Sequence, residues 1–320
     1  MNKKGDMADS ETLPQKFIDP FVTAKGETRA HVAYGETKTL WFNTGTLCNI
    51  ECVNCYIESS PKNERLVYLT VADVVPYLDE LEEAGETGIE IGFTGGEPFM
   101  APEIIDILRT VLERGHSVLM LTNAMQPMMR PAIKGGLMAL NEDYAERLTM
   151  RISLDHYSAA YHDEERGKGS FDLTVKGLRW LSENKFNLAL AGRTMWGEDE
   201  DDARRGYASF IKAEQLNVDP ADPTQLVLFP EMQPDADPPE ITTACWDILS
   251  KDPNELMCAS QRMVVKRKGA KQASVVACTL LPYDEEFDLG PTLKEARKPV
   301  SLNHSYCASF CVLGGGSCSA

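Results

Sequence analysis

The sequence predicts an α/β fold of parallel βαβ units followed by a small C-terminal α+β segment. Between Thr39 and Phe229, short apolar runs alternate with amphipathic helical stretches, the pattern of parallel strands joined by right-handed crossovers. After residue 240 the pattern changes to a hairpin among cysteines, Arg262–Lys266 and Ala273–Ala277 about a Lys/Gly turn. Periodicity alone permits a partial barrel, a full TIM barrel or a doubly wound sheet.

The elements follow in order. Residues 1–38 are polar and weakly patterned, extended around Phe17–Val22 and His31–Tyr34, and read as an arm wrapping the barrel. Leu40–Asn43 is the first strand. Thr70 is a suitable N-cap for a helix with Val74, Leu78 and Leu81 on its apolar face and Gly85 at its end. Ile89–Phe93 is the second strand; the next helix spans Pro102–Arg114, with proline in a first-turn position. Strand Ser117–Leu121, a looser helical segment at Met128–Leu140 and strand Leu148–Leu154 come next. Helix Asp172–Asn184, strand Phe186–Ala191, an acidic helix over Asp199–Ala213 and strand Leu226–Phe229 complete the alternation. Acids at the start of that last helix suit the positive end of its dipole. Pro220, Pro223, Pro230, Pro234, Pro238 and Pro239 then interleave with acids, marking a connection out of the barrel. The expected organisation is an arm at 1–38, a barrel at 39–235 and a C-terminal domain at 236–320.

Polar and cysteine-rich stretches fall just past the strands: Cys48–Cys55, Gly95–Pro98, Thr122-Asn123, Ser153–Asp155 and Arg193. Ligand-binding groups of parallel α/β folds gather at strand carboxyl ends, so one shared site is expected. Cys48, Cys52 and Cys55 form C-x3-C-x2-C. Alone, that spacing serves a zinc ion with a fourth ligand, or part of an electron-transfer cluster. Three thiolates on a tetranuclear cluster leave one iron open to a substrate or cofactor.

Together with Thr94-Gly95-Gly96-Glu97-Pro98, this spacing resembles the radical S-adenosylmethionine (radical SAM) superfamily, whose signature is C-x3-C-x-Φ-C with Φ usually aromatic. Here Φ is Asn54, and the aromatic Tyr56 follows the last cysteine. The resemblance covers roughly residues 40–230. It implies a partial (β/α)6 TIM-like barrel in which Cys48, Cys52 and Cys55 carry the catalytic [4Fe–4S] cluster. In that family the cluster binds SAM and cleaves it reductively to a 5′-deoxyadenosyl radical, which abstracts hydrogen from substrate. Gly95, Gly96 and Glu97 would receive the SAM amino group. Tyr56, Asn123, Ser153, Asp155 and Arg193 would contact its adenine, ribose or carboxylate.

The residues Ser153-Leu154-Asp155 and Arg166-Gly167 resemble a run common in SPASM-type members, while His156 and His162 between them read as a solvated loop. The hairpin flanked by Cys258 and Cys278, a helix near Thr292–Ala296 and the later Cys307, Cys311 and Cys318 resemble the twitch or SPASM extension. That resemblance implies an auxiliary [4Fe–4S] cluster drawn from these five, with Cys245 outside the set. A zinc site or scattered core thiols are the alternative.

Composition narrows the function. Asp and Glu total 49 against 32 Lys and Arg, a formal charge of −17, which repels polyanions and disfavours nucleic acid or an anionic membrane surface. There is no apolar run of membrane-spanning length and no signal-like start. Nine cysteines, an odd number in a long chain, fit reduced thiols in the cytoplasm better than disulfides. By resemblance, the substrate is a peptide or a small molecule, and the reductant is a flavodoxin or ferredoxin. The first 38 residues are shorter than the leader-binding module of many peptide-maturing members, so a separate partner or a small molecule fits. Rival readings are a non-catalytic iron–sulfur or zinc carrier or sensor and a tRNA-modifying radical SAM enzyme.

Overall fold

The computed structural model describes residues 15–231 and 237–316. The arm forms a short strand, β1 (His31–Val32), followed by β2 (Thr39–Asn43). Five βα units and a sixth strand then run β2, α1 (Val71–Glu83), β3 (Glu90–Thr94), α2 (Ile104–Glu113), β4 (Ser117–Thr122), α3 (Pro131–Tyr144), β5 (Leu148–Ser153), α4 (Ala159–Arg166), α5 (Ser170–Glu183), β6 (Asn187–Arg193), α6 (Glu200–Ala213) and β7 (Leu226–Phe229). Each strand from β2 to β7 pairs in parallel with the next, as a partial TIM-like barrel requires. Among the described residues no helix is long and apolar enough to cross a membrane.

Local chemistry sets the helix boundaries. Thr70 caps α1, its side chain accepting from the Asp73 N–H while Asp73 accepts from the Thr70 N–H. This reciprocal box fixes the first turn, and Val74, Tyr77, Leu78 and Leu81 then fall on the buried face at helical spacing. Asp199 caps α6, with Glu200, Asp201 and Asp202 in its first turn. The expected boundaries hold to within a few residues; α2 begins at Ile104, which leaves Pro102 ahead of the first turn and not in it, and α4 is an additional helix.

The C-terminal segment continues the barrel sheet. After α7 (Cys245–Leu249) come β8 (Gln261–Val265), β9 (Ser274–Val276), β10 (Asp288–Gly290), α8 (Leu293–Ala296) and β11 (Val300–Ser301). The hairpin forms as expected, β8 antiparallel to β9. Its first strand also lies parallel against β2, so one nine-stranded sheet runs β10-β9-β8-β2-β3-β4-β5-β6-β7. From the β2 edge the chain crosses to the far edge, where Phe310 stacks on Phe229 of β7 at 6.1 Å. The segment thus spans the barrel's open side. The arm binds this segment: His31 and Val32 pair with Ser301 and Val300, and buried Arg29 meets Glu240 at 2.5 Å.

Candidate active site

The cavity at the strand ends is built from the loops the sequence singled out. It is lined by Cys48, Cys52, Cys55, Tyr56, Gly95, Gly96, Thr122, Asn123, Ser153, Asp155, Arg166 and Arg193 and encloses about 1190 Å³, part of it open to solvent. These residues arrive from five strand ends, those of β2, β3, β4, β5 and β6. Thr279, Leu280 and Phe310 of the C-terminal segment complete the wall.

The cysteine loop and the glycine turn are bound to each other through backbone. Gly96 N–H donates to the Gly45 carbonyl at 2.8 Å, and Glu97 N–H to the Leu47 carbonyl at 3.1 Å. This approach needs glycine. A Cβ on Gly96 would stand 2.1 Å from the Leu47 carbonyl oxygen, and Gly95 has φ +136°, a region L-residues avoid. Glu97 is buried and ties the turn to the end of β4. Its carboxylate accepts from Phe99 N–H (3.2 Å), Thr122 Oγ1 (2.9 Å) and Asn123 N–H (2.9 Å). Burial raises its pKa to about 7, against those hydrogen bonds, which favour the charge. Asn123 extends the connection, donating from Nδ2 to Asn49 Oδ1 at 2.9 Å with Cys48 Sγ at 4.0 Å.

Burial pushes the Cys48 thiol up to about 12 and the Cys52 thiol up to about 11, Arg166 opposing the latter. Metal binding must therefore displace protons from these sulfurs. Ser59 N–H donates to Cys55 Sγ at 3.3 Å, the kind of hydrogen bond that tunes iron–sulfur centres. Among the described residues no three His, Cys, Asp or Glu side chains converge on a point that could hold a single ion.

Two expected contacts have protein partners. Asp155 grips Arg166 with both oxygens, at 2.6 and 3.0 Å, and its pKa stays below the usual range despite burial because that guanidinium neutralises it. Arg193 pairs with Glu165 at 2.8 Å and donates to the Asn54 carbonyl at 3.2 Å. The sequence assigns Glu165 no role and places His156 and His162 in a solvated loop. The structure corrects this: His156 and His162 are 2% and 0% exposed, and His162, Glu165 and Arg166 lie in helix α4. The available signal was Ser158 as an N-terminal boundary with His162, Glu165 and Arg166 three and four residues apart.

A second constellation lies in the C-terminal segment. Cys258, Cys278, Cys307 and Cys311 line one small apolar pocket with Leu281, Phe287 and Leu302. Burial raises Cys258 to about 11, and raises Cys307 well above the usual thiol range. Cys307 and Cys311 sit on a π-helical turn, Cys307–Leu313. Cys318 lies outside the described residues. Cys278 and Thr279 are consecutive, as are Phe310 and Cys311, so the two pockets share a wall.

This fold and site define a partial-barrel protein whose ligands gather at the carboxyl ends of its parallel strands. Residues 42–210, more than half of the chain, match the Radical SAM superfamily, and the chain belongs to that family. It is 33% identical over 154 residues to the antilisterial bacteriocin subtilosin biosynthesis protein AlbA of Bacillus subtilis (strain 168), covering 47% of this chain and 32% of that protein. It is 32% identical over 142 residues to the mycofactocin maturase MftC of Mycolicibacterium smegmatis, covering 44% and 33%. The matched region thus spans about a third of each relative. Among solved structures, the fold resembles SAM-bound SuiB of Streptococcus suis (TM-score 0.56, 11% identity, 80% of this chain and 63% of that one). It also resembles anSMEcpe with bound AdoMet (TM-score 0.58, 13% identity, 81% and 76%).

Proposed function

We propose that the chain is a radical SAM oxidoreductase or maturase that cleaves SAM reductively and uses the 5′-deoxyadenosyl radical to abstract hydrogen from a peptide substrate. The observation that carries this reading is the hydrogen-bonded union of the Cys48–Cys55 loop with the Gly95–Glu97 turn at one cavity. A [4Fe–4S] cluster held by Cys48, Cys52 and Cys55 would supply the electron and an open coordination position. The chain's own residues shield and orient: Gly95 and Gly96 let backbone approach the cofactor, Glu97 and Asn123 hold the loops together, and Tyr56 and Ser153 face the cavity. Arg166 sets a buried positive charge near Cys48 and Cys52, in a position to balance anionic groups. Asp155 and Arg193 hold this framework through Arg166 and Glu165.

Four cysteines around one pocket form a complete donor set for a tetranuclear cluster. We assign Cys258, Cys278, Cys307 and Cys311 to an auxiliary cluster, with Cys318 a further candidate. A centre sharing a wall with the radical site suits removal of an electron from substrate, as oxidation or cross-linking requires. Relatives named for bacteriocin biosynthesis and for maturation favour a peptide over a small molecule. The charge of −17 weighs against tRNA. A flavodoxin or ferredoxin in the cytoplasm would supply the first electron.

Anaerobic reconstitution followed by dithionite and SAM tests the reading. The wild-type chain should release 5′-deoxyadenosine and Cys48→Ala should release none. Equal product from both would overturn the site assignment.

A further inference from the structure

Asn54 lies between the second and third cysteines of the loop, beside Val53, which is 74% exposed. Little packs on this stretch, yet Asn54 is held at three points. Its backbone N–H donates to Glu165 Oε1 at 2.8 Å and its side-chain amide to Glu165 Oε2 at 2.8 Å. Its carbonyl accepts from Arg193 at 3.2 Å. Val53 N–H donates to the Glu165 carbonyl at 2.9 Å, and Arg193 closes the set on Glu165 at 2.8 Å. The Glu165 side chain is 3% exposed and that of Arg193 13%. A carboxylate this buried is retained only where charge and hydrogen bonds satisfy it, and here both come from the cysteine loop and the end of β6.

Resting on the reading above, we propose that Glu165 is a positioning residue. Through Asn54 and Arg193 it orders the Cys52–Cys55 half of the loop before a cluster binds. Cluster binding then meets thiols already placed, without first paying to order an exposed loop. The latch also accounts for Asn54 at a position usually aromatic in the family: the second bond to Glu165 needs a short side chain that donates a hydrogen bond, which Phe or Trp at this reach does not supply. Glu165 touches no substrate atom in this role. It acts through the residue between two cysteines.

The test uses the full-length chain with and without iron. In the metal-free chain, hydrogen exchange at the Val53 and Asn54 amides reads the latch itself. In the reconstituted chain, the rate at which a chelator strips iron reads its consequence. Glu165→Ala, and Asn54→Asp, which sets two carboxylates face to face, should each speed exchange at these amides roughly tenfold or more. Each should also speed iron loss roughly 10- to 100-fold. The double variant Asn54→Asp/Glu165→Gln restores a donor–acceptor match, so both rates should return toward wild type, a rescue that excludes general misfolding as the cause. Unchanged exchange in the single variants, or a double variant no better than either single, would overturn the latch. Normal exchange behaviour in a wild-type chain that takes up no iron would instead overturn the cluster reading, leaving the ordered loop in place.

Discussion

His162 shows how far a single residue's environment departs from its sequence context. Flanked by Asp163, Glu164 and Glu165, it reads as solvated. In the fold it is fully buried against Phe171, ring centroids 5.7 Å apart, and burial lowers its pKa from 6.5 to about 4. The unfolded chain therefore binds a proton near pH 6.5 that the native state refuses until about pH 4, so stability falls as pH drops through that window. The linked loss is about 3 kcal/mol across the full window. Chemical unfolding of His162→Phe should show a smaller decline between pH 7 and pH 4 than the wild type, by roughly that amount; equal declines would contradict the burial argument. That the cysteines and glycines line one cavity could be expected from their short spacing, and that Asn123 joins them from its place at a strand end. Glu165 was not legible, because its partner Asn54 lies 111 residues away in another loop and such a pairing leaves no trace in periodicity; nor was the Asp155–Arg166 pair, because the intervening helix α4 that brings the two together was itself unread.

At the scale of elements, the Gly95–Glu97 turn is a tight joint between two loops. A methyl at residue 96 would meet backbone of Leu47 at 2.1 Å, and backbone cannot rotate away as a side chain can. Gly96→Ala should destabilise the chain by roughly 1–3 kcal/mol and reduce iron uptake, since displacing Leu47 moves Cys48. Wild-type stability and iron content in that variant would show that the two loops are not coupled. Strands β2 to β7 could be read directly, each an apolar run ended by a polar loop. The β8–β9 hairpin could also be read, since both strands and their turn lie within a few residues. Its attachment to β2 could not: Thr39 pairs with Gln261, far along the chain, and a central parallel strand carries no mark of its neighbour. Helix α4 went unread because its acidic surface masks a short buried face.

Across the whole molecule, two cysteine pockets stand on either side of a wall made by Thr279 and Phe310. The C-terminal segment both bridges the open side of the barrel and carries the second set of sulfurs, so its folding and the shape of the radical site are linked. Cys278→Ala, which removes one sulfur and leaves the fold of the segment in place, should lower reconstituted iron from about eight to about four per chain, while SAM-dependent signals of the first centre persist; loss of both together would mean that the two sets of cysteines do not hold separate clusters. On the proposed reading, Cys48, Cys52 and Cys55 would leave one coordination position for SAM itself. Hyperfine spectroscopy of the reduced Cys278→Ala variant with SAM labelled in its amino nitrogen and carboxylate oxygens tests this most directly. Couplings from both labels are expected, and their loss in Cys48→Ala. A spectrum unchanged by labelled SAM, from a centre whose iron is fully ligated by protein, would contradict it.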